Sequence, residues 1–137
     1  MSSREVLDRE VTTEDDVRVL FVEDDPEVAQ MYKLKLELDG YAVDVATDGM
    51  QAVQMATGNP PDIIFLDIRL PKMDGLGVLE VLRQDDRTRD IPVVILSNYS
   101  ERELVDRGME MGALDYLIKS QTTPARVAGG VANWLRN

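Results

Sequence analysis

What most constrains this chain is the strict alternation of short apolar runs with amphipathic segments from Val17 onward. Val17–Val22, Ala42–Ala46, Ile63–Leu66, Val93–Leu96 and Leu114–Ile118 are four to six residues long and read as strands. Helical periods fill the gaps. The first carries Val28, Met31, Leu34 and Leu38 at spacings of three and four, with Asp25 to cap it, Pro26 in its first turn and Gly40 to stop it. The second covers about Asp48 to Thr57, ahead of Gly58-Asn59-Pro60-Pro61, and the third places Leu76, Leu79 and Leu82 on one face. The fourth opens on Ser100-Glu101-Arg102-Glu103, which has the spacing of a capping box, and ends before Gly112. The fifth follows Thr123-Pro124 and carries Val127, Val131, Trp134 and Leu135.

Five strand–helix units in alternation predict a parallel α/β sheet covered on both faces. Strands one, three and four are nearly continuous apolar runs, as central strands should be, whereas strands two and five carry the mid-strand acids Asp44 and Asp115 and read as edges. With right-handed crossovers this predicts the order 2-1-3-4-5, a flavodoxin-like doubly wound sheet of five strands. The 137 residues fit one domain, expected over 17–137. Residues 1–16 hold six acids against two arginines and read as a flexible N-terminal extension, with a short helix around Val6, Leu7 and Val11 as its one candidate element.

Composition narrows the chemistry. With no cysteine and no histidine, thiolate or imidazole catalysis and zinc–thiolate sites are excluded, and any metal must be hard and oxygen-bound. A net charge of −11, with lysine and arginine scattered, argues against direct nucleic-acid binding. No apolar stretch reaches membrane-spanning length and the first ten residues lack a signal-peptide pattern, so the expected location is cytoplasmic, away from membranes.

In open parallel sheets, ligands bind beyond the carboxyl ends of the strands, where strand order reverses. Strand one ends in Glu23-Asp24-Asp25, strand three in Asp67, strand four in Ser97 and strand five in Lys119. Clustered acids repel one another, so a cation is expected among them, and Mg²⁺ suits an all-oxygen set. Carboxylates, metal, hydroxyl and ammonium around one cleft suit phosphoryl transfer onto a carboxylate. Asp67 alone, at the end of Ile63-Ile64-Phe65-Leu66, would read as a turn cap; beside Glu23, Asp24 and Lys119 it reads as a site.

The segments "VLFVEDDPEV", "DIIFLDIRLPKMDG", "VVILSN" and "GALDYLIK" resemble the receiver domain of two-component response regulators, over about residues 17–136. The resemblance implies that Asp67 is the phosphoacceptor, supplied by the phosphohistidine of a sensor histidine kinase or a histidine phosphotransfer protein. Glu23, Asp24, Asp67 and the main-chain carbonyl of Arg69 would hold Mg²⁺, with Asp25 left to cap the next helix. Ser97 and Lys119 would bind phosphoryl oxygens. Ser97 and Tyr116 would form the switch that remodels the surface of helix four, strand five and helix five, for an unknown downstream protein or a homodimer. Tyr116 can equally be an ordinary edge-strand aromatic.

Arg69 and Tyr99 take positions that tune hydrolysis in the family; both are large and predict slow self-dephosphorylation, and Asn98 can narrow the entrance. Catalysis is expected to be limited to Mg-dependent self-phosphorylation from small donors and to self-dephosphorylation. Two features depart from pattern or propensity. Ser120 replaces the usual proline after the lysine, which predicts a trans bond and an altered loop over 119–123. Gly129-Gly130 inside the last helix implies close packing, a kink, or a marginal helix that orders with a partner. Because the chain stops at Asn137, the resemblance implies a stand-alone receiver. Rival readings are a receiver-like interaction module that works without phosphorylation and an aspartate-nucleophile phosphatase, whose D-x-D pattern "VEDDPE" does not match. Flavin binding lacks a phosphate loop after strand one.

Overall fold

The computed structural model describes residues 17–136; the expected extension at 1–16 lies outside the described residues. In chain order the elements are β1 (Arg18–Val22), α1 (Pro26–Leu38), β2 (Ala42–Ala46), α2 (Gly49–Gly58), β3 (Ile63–Leu66), α3 (Gly75–Gln84), β4 (Val93–Ser97), α4 (Arg102–Glu110), β5 (Asp115–Ile118), a 3₁₀ turn (Lys119–Gln121) and α5 (Pro124–Arg136). All strand pairs are parallel and the order is β2-β1-β3-β4-β5, as the edge acids predict. Every residue of β3 and β4 is buried, while β2 and β5 are partly open to solvent.

Successive strand residues point to opposite faces and build two cores. On one face Leu20, Val22, Ile64, Leu66 and Ile95 pack with Ala52 and Ala56 of α2 and Leu76, Leu79 and Leu82 of α3. On the other, Val19, Phe21, Ile63, Phe65 and Leu96 pack with Tyr32 and Leu36 of α1 and Val127, Ala128 and Val131 of α5. Phe21 stacks on Tyr32 with ring centroids 4.9 Å apart, and Phe65 meets Trp134 edge-on at 5.6 Å.

The helix caps follow the sequence in most places. Asp25 Oδ1 accepts from the amides of Glu27 and Val28, Asp48 caps α2, and Asp74 caps α3. Two expectations fail. The stripe of Met31, Leu34 and Leu38 on α1 is exposed, at 53%, 55% and 73%, and the helix instead buries Ala29, Tyr32 and Leu36. The ring of Tyr32 docks on Phe21, and the small Ala29 lets the backbone approach the sheet, which turns the other stripe outward. The capping box at Ser100–Glu103 does not form: α4 starts one residue later, with Glu101 at its N-cap and no side-chain hydrogen bond there.

The Lys119–Ser120 bond is trans, since no described peptide bond is cis, and the chain coils there into its 3₁₀ turn. Gly130 answers to close packing, because a Cβ there would come within 2.8 Å of the Trp134 ring. That ring folds back along α5 over the preceding turn, and its Nε1 donates to Asp115 Oδ2 at 3.2 Å. Gly129 has no such neighbour, and nothing in the structure explains it.

Candidate functional site

The site grows out of the register of β1 and β3. Val22 pairs with Leu66, so the chain leaves both strands side by side and Glu23, Asp24 and Asp67 follow. The ladder continues one step beyond the strands, with the Asp67 amide donating to Val22 O at 3.2 Å and the Glu23 amide to Ala46 O at 2.9 Å. Glu23, Asp24 and Asp67 each place a carboxylate oxygen within 4.8 Å of the other two. Glu23 and Asp67 are buried, at 2% and 6% exposed, and Asp24 faces solvent.

The turn after Asp67 is held by close backbone contacts. Gly75 N donates to Ile68 O at 2.7 Å, and a Cβ on Gly75 would fall 2.1 Å from the Asp67 carbonyl oxygen. Only glycine lets α3 start that close to the acid. Gly49, at the start of α2, meets the Met73 carbonyl in the same way, at 1.8 Å from a would-be Cβ.

Lys119 reaches past β4 and donates to Asp67 Oδ2 at 2.8 Å and to Glu23 Oε1. Burial alone would lower the Lys119 ammonium, but its hydrogen bonds to Asp67 and Glu23 outweigh that, and the net shift is upward. Glu23 moves up too, because burial raises its carboxyl more than Lys119 and the Asp25 amide lower it. Lys119 thus bridges two of the three carboxylates, Glu23 and Asp67, and the cluster is left able to take a hard cation on oxygen ligands. Glu23, Asp24 and Asp67 supply that donor set; Asp25, committed to its cap, does not join the cluster.

The acids open into a cavity of about 260 Å³ whose outer wall is Arg69, Asn98 and Tyr99. The Arg69 guanidinium lies 4.9 Å from the Tyr99 ring centroid. Ser97, the last residue of β4, is fully buried; its Oγ accepts the Tyr99 amide at 3.1 Å and does not line the cavity. Tyr116 Oη donates to the Tyr99 carbonyl at 2.5 Å. The structure therefore brings Glu23, Asp24, Asp67 and Lys119 into one constellation, with Arg69 and Tyr99 over it and Ser97 and Tyr116 behind Tyr99. Sequence reasoning missed the contact of Lys119 with Glu23 and the backbone of Tyr99 as a junction. A cavity of about 270 Å³ toward the amino ends of β1 and β3, walled by Leu20, Met55 and Pro61, holds no such cluster.

Residues 19–127 match the response regulator receiver domain family. The chain belongs to that family. As a receiver domain it is part of two-component phosphorylation signalling, which is a signalling role and not in general an enzymatic one. It is 41% identical over 102 residues to the DNA-binding dual master transcriptional regulator RpaA of Synechocystis, an alignment that covers 74% of this chain and 42% of RpaA. The chain thus spans less than half the length of such relatives. Among solved structures, the receiver domain of the Francisella response regulator 1452 superimposes with a TM-score of 0.80 at 31% identity, over 88% of this chain and 98% of that one. The Mn(2+)-bound form of response regulator Rcp1 superimposes with a TM-score of 0.78 at 26% identity, over 88% of this chain and 95% of that one. Among the described residues, no helix of the receiver domain is long and apolar enough to cross a membrane.

Proposed function

We propose that this receiver domain takes a phosphoryl group onto Asp67 from the phosphohistidine of a sensor kinase or histidine phosphotransfer protein. One observation carries the reading: the buried Asp67 carboxylate sits within 4.8 Å of two further acids and 2.8 Å from an ammonium, at the wall of an open cavity. A carboxylate oxygen of Asp67 attacks phosphorus as the P–N bond to the imidazole breaks, and the imidazole nitrogen keeps the electron pair. Lys119 holds Asp67 in place and balances charge that gathers on the phosphoryl oxygens. The Ser97 hydroxyl accepts the Tyr99 amide and shares a hydrogen bond with the Tyr116 hydroxyl, and by rotating it would turn its own proton toward a phosphoryl oxygen.

The cluster of Glu23, Asp24 and Asp67 fits Mg²⁺, which in this reading would also take the Arg69 carbonyl and, when bound, would neutralise the acids and the incoming phosphoryl oxygens. Rcp1, similar across most of its chain, is known in an Mn(2+)-bound form, which supports a divalent ion as a ligand of this fold. Arg69 stacked on Tyr99 screens Asp67 from water, which favours slow loss of the phosphoryl group. The signal would leave through the surface of α4, β5 and α5, to a downstream protein or a second copy. DNA binding is named for RpaA; the net charge of −11 of this whole chain favours protein contacts instead.

The test is intact mass after incubation with Mg²⁺ and acetyl phosphate, beside Asp67→Asn. The expected result is one phosphoryl adduct, abolished by the substitution and by chelation of the metal. A folded, metal-supplied protein that takes no adduct would overturn the reading in favour of an interaction module that works without phosphorylation.

A further inference from the structure

The loop between Asp67 and α3 takes a costly path. Among the described residues Lys72 is the one non-glycine at positive φ, at 70°, and the Met73 amide donates back to the Pro71 carbonyl at 2.7 Å. A bond that spans two residues around a positive φ is the rarer, strained form of γ-turn. Such a conformation persists only where its surroundings hold it, and here the start of α2 does so. We infer that Asp48 and Gly49 are positioning residues for this loop, and that their hold on Pro71–Met73 tightens the binding of a divalent ion at Glu23, Asp24 and Asp67. This rests on the reading of those acids as a metal site with the Arg69 carbonyl as a further ligand.

The two ends of the loop are fixed independently. Asp67 continues the ladder onto Val22, and the Gly75 amide donates to Ile68 O at 2.7 Å. Between them Leu70 and Met73 pack against the core. Among the described residues, one hydrogen bond ties residues 69–73 to another element: the Gly49 amide donates to Pro71 O at 3.2 Å. That amide is one of the donors a helix start leaves without an intrahelical partner, so Pro71 completes α2 while α2 restrains Pro71. Approach this close needs glycine, since a Cβ on Gly49 would lie 1.8 Å from the Met73 carbonyl oxygen. Asp48 adds a charge. Its Oδ1 caps α2 through the Gln51 amide at 2.7 Å, which leaves Oδ2 to face Lys72 Nζ at 3.8 Å. The Lys72 side chain is 68% exposed, so this pair is a weak, salt-sensitive tether and the Gly49 contact carries most of the hold. Arg69 lies two residues before Pro71. A loop pushed off α2 therefore shifts the Arg69 carbonyl relative to the acids, whose own positions the strands fix.

The test is binding of Mn²⁺, read from the spin-resonance signal of the free ion, beside the Mg²⁺ dependence of adduct formation from acetyl phosphate. Gly49→Ala is expected to weaken Mn²⁺ binding by about tenfold, the low end for a residue that orients a metal ligand. The half-saturating Mg²⁺ is expected to rise to match, with the rate at saturating Mg²⁺ unchanged. Asp48→Asn keeps a side-chain cap and loses the charge, and it decides the matter if the alanine variant does not fold. It is expected to weaken Mn²⁺ binding by about two- to fivefold, the weight of an exposed ion pair, with no effect at high salt or in a Lys72→Met background. Folded variants that bind Mn²⁺ as the wild type does, whatever their urea midpoints, would overturn the inference alone, since α2 would then support the fold and not the site. A wild-type chain that binds no Mn²⁺ would overturn the metal reading and this inference with it.

Discussion

Glu23 shows how the site stores unfavourable charge. It is 2% exposed, and burial moves its carboxyl above the ordinary value of 4.5 even with Lys119 beside it. A folded-state shift upward means that the native chain holds this proton more tightly than the unfolded chain. Its contribution to stability is therefore fully present below pH 4.5 and is lost as pH rises through the shifted value, so at neutral pH the charged Glu23 costs stability. Without metal, Glu23→Gln is expected to raise Tm at pH 7, by a margin that shrinks as pH falls toward 4.5. Mg²⁺ at about a hundredfold its Kd is expected to stabilise the wild type by about 2.7 kcal/mol, and the variant by much less. A variant that melts below the wild type at neutral pH in chelator would sink this account. Glu23, Asp24, Asp67 and Lys119 were all legible in the sequence because each is the first or second residue after a strand, and strand order decides which strand ends are neighbours. The second contact of Lys119 and the burial of Ser97 were not, since rotamers and loop paths leave no spacing behind. The carbonyl of Tyr99 has no side-chain signature at all.

At the scale of elements, α1 marks the limit of periodicity. Two stripes on this helix have spacings of three and four: Met31, Leu34 and Leu38 on one side, Ala29, Tyr32 and Leu36 on another. Spacing alone cannot rank them, and the longer aliphatic chains favour the wrong one. What decides is the partner surface, where Phe21 offers Tyr32 a stacking face and β1 receives Leu36. Leu36→Ala is thus expected to cost about 2–5 kcal/mol, the range for a buried leucine. Leu34→Glu is expected to stay within about 0.5 kcal/mol of the wild type, as a surface change. Urea midpoints of the two variants check this, and similar losses would show that the exposed stripe is packed in solution. The strands posed no such ambiguity, because an apolar run buried on both faces requires no choice between them, and their ends fell within one residue of expectation. The missing cap on α4 has a related cause: Tyr99 is tethered by its amide and its carbonyl, and the chain then reaches the helix one residue late for Ser100 to serve.

The molecule as a whole keeps its two ends for different work. The order 2-1-3-4-5 was readable from which strands carried acids, and it gathers every functional charge at the carboxyl ends of the strands. The opposite end is tied by a residue that no motif marks. Arg83, near the end of α3, donates to the carbonyls of Thr88, Arg89 and Ile91 ahead of β4, and to Gly112 ahead of β5. Burial lowers its guanidinium, yet the group stays charged, since an arginine starts so far above neutral pH. One planar fork thus fastens a helix and the entries to two strands, and its loss leaves several carbonyls without a donor. Gly112, with a φ of 98°, closes the turn against that side chain, where a Cβ would sit 2.9 Å from Arg83 Nε. Arg83→Met keeps most of the aliphatic packing and removes the hydrogen bonds, so it is expected to cost about 1–3 kcal/mol. Because Arg83 touches none of the acids, the variant is expected to take up the phosphoryl group on Asp67 as the wild type does while it remains folded. A lowered urea midpoint with unchanged adduct formation by intact mass is the expected pair of results. Loss of adduct at a denaturant-free stability still above the folding threshold would show that the two ends of the sheet communicate, and the separation of support from chemistry along the strand axis would fail.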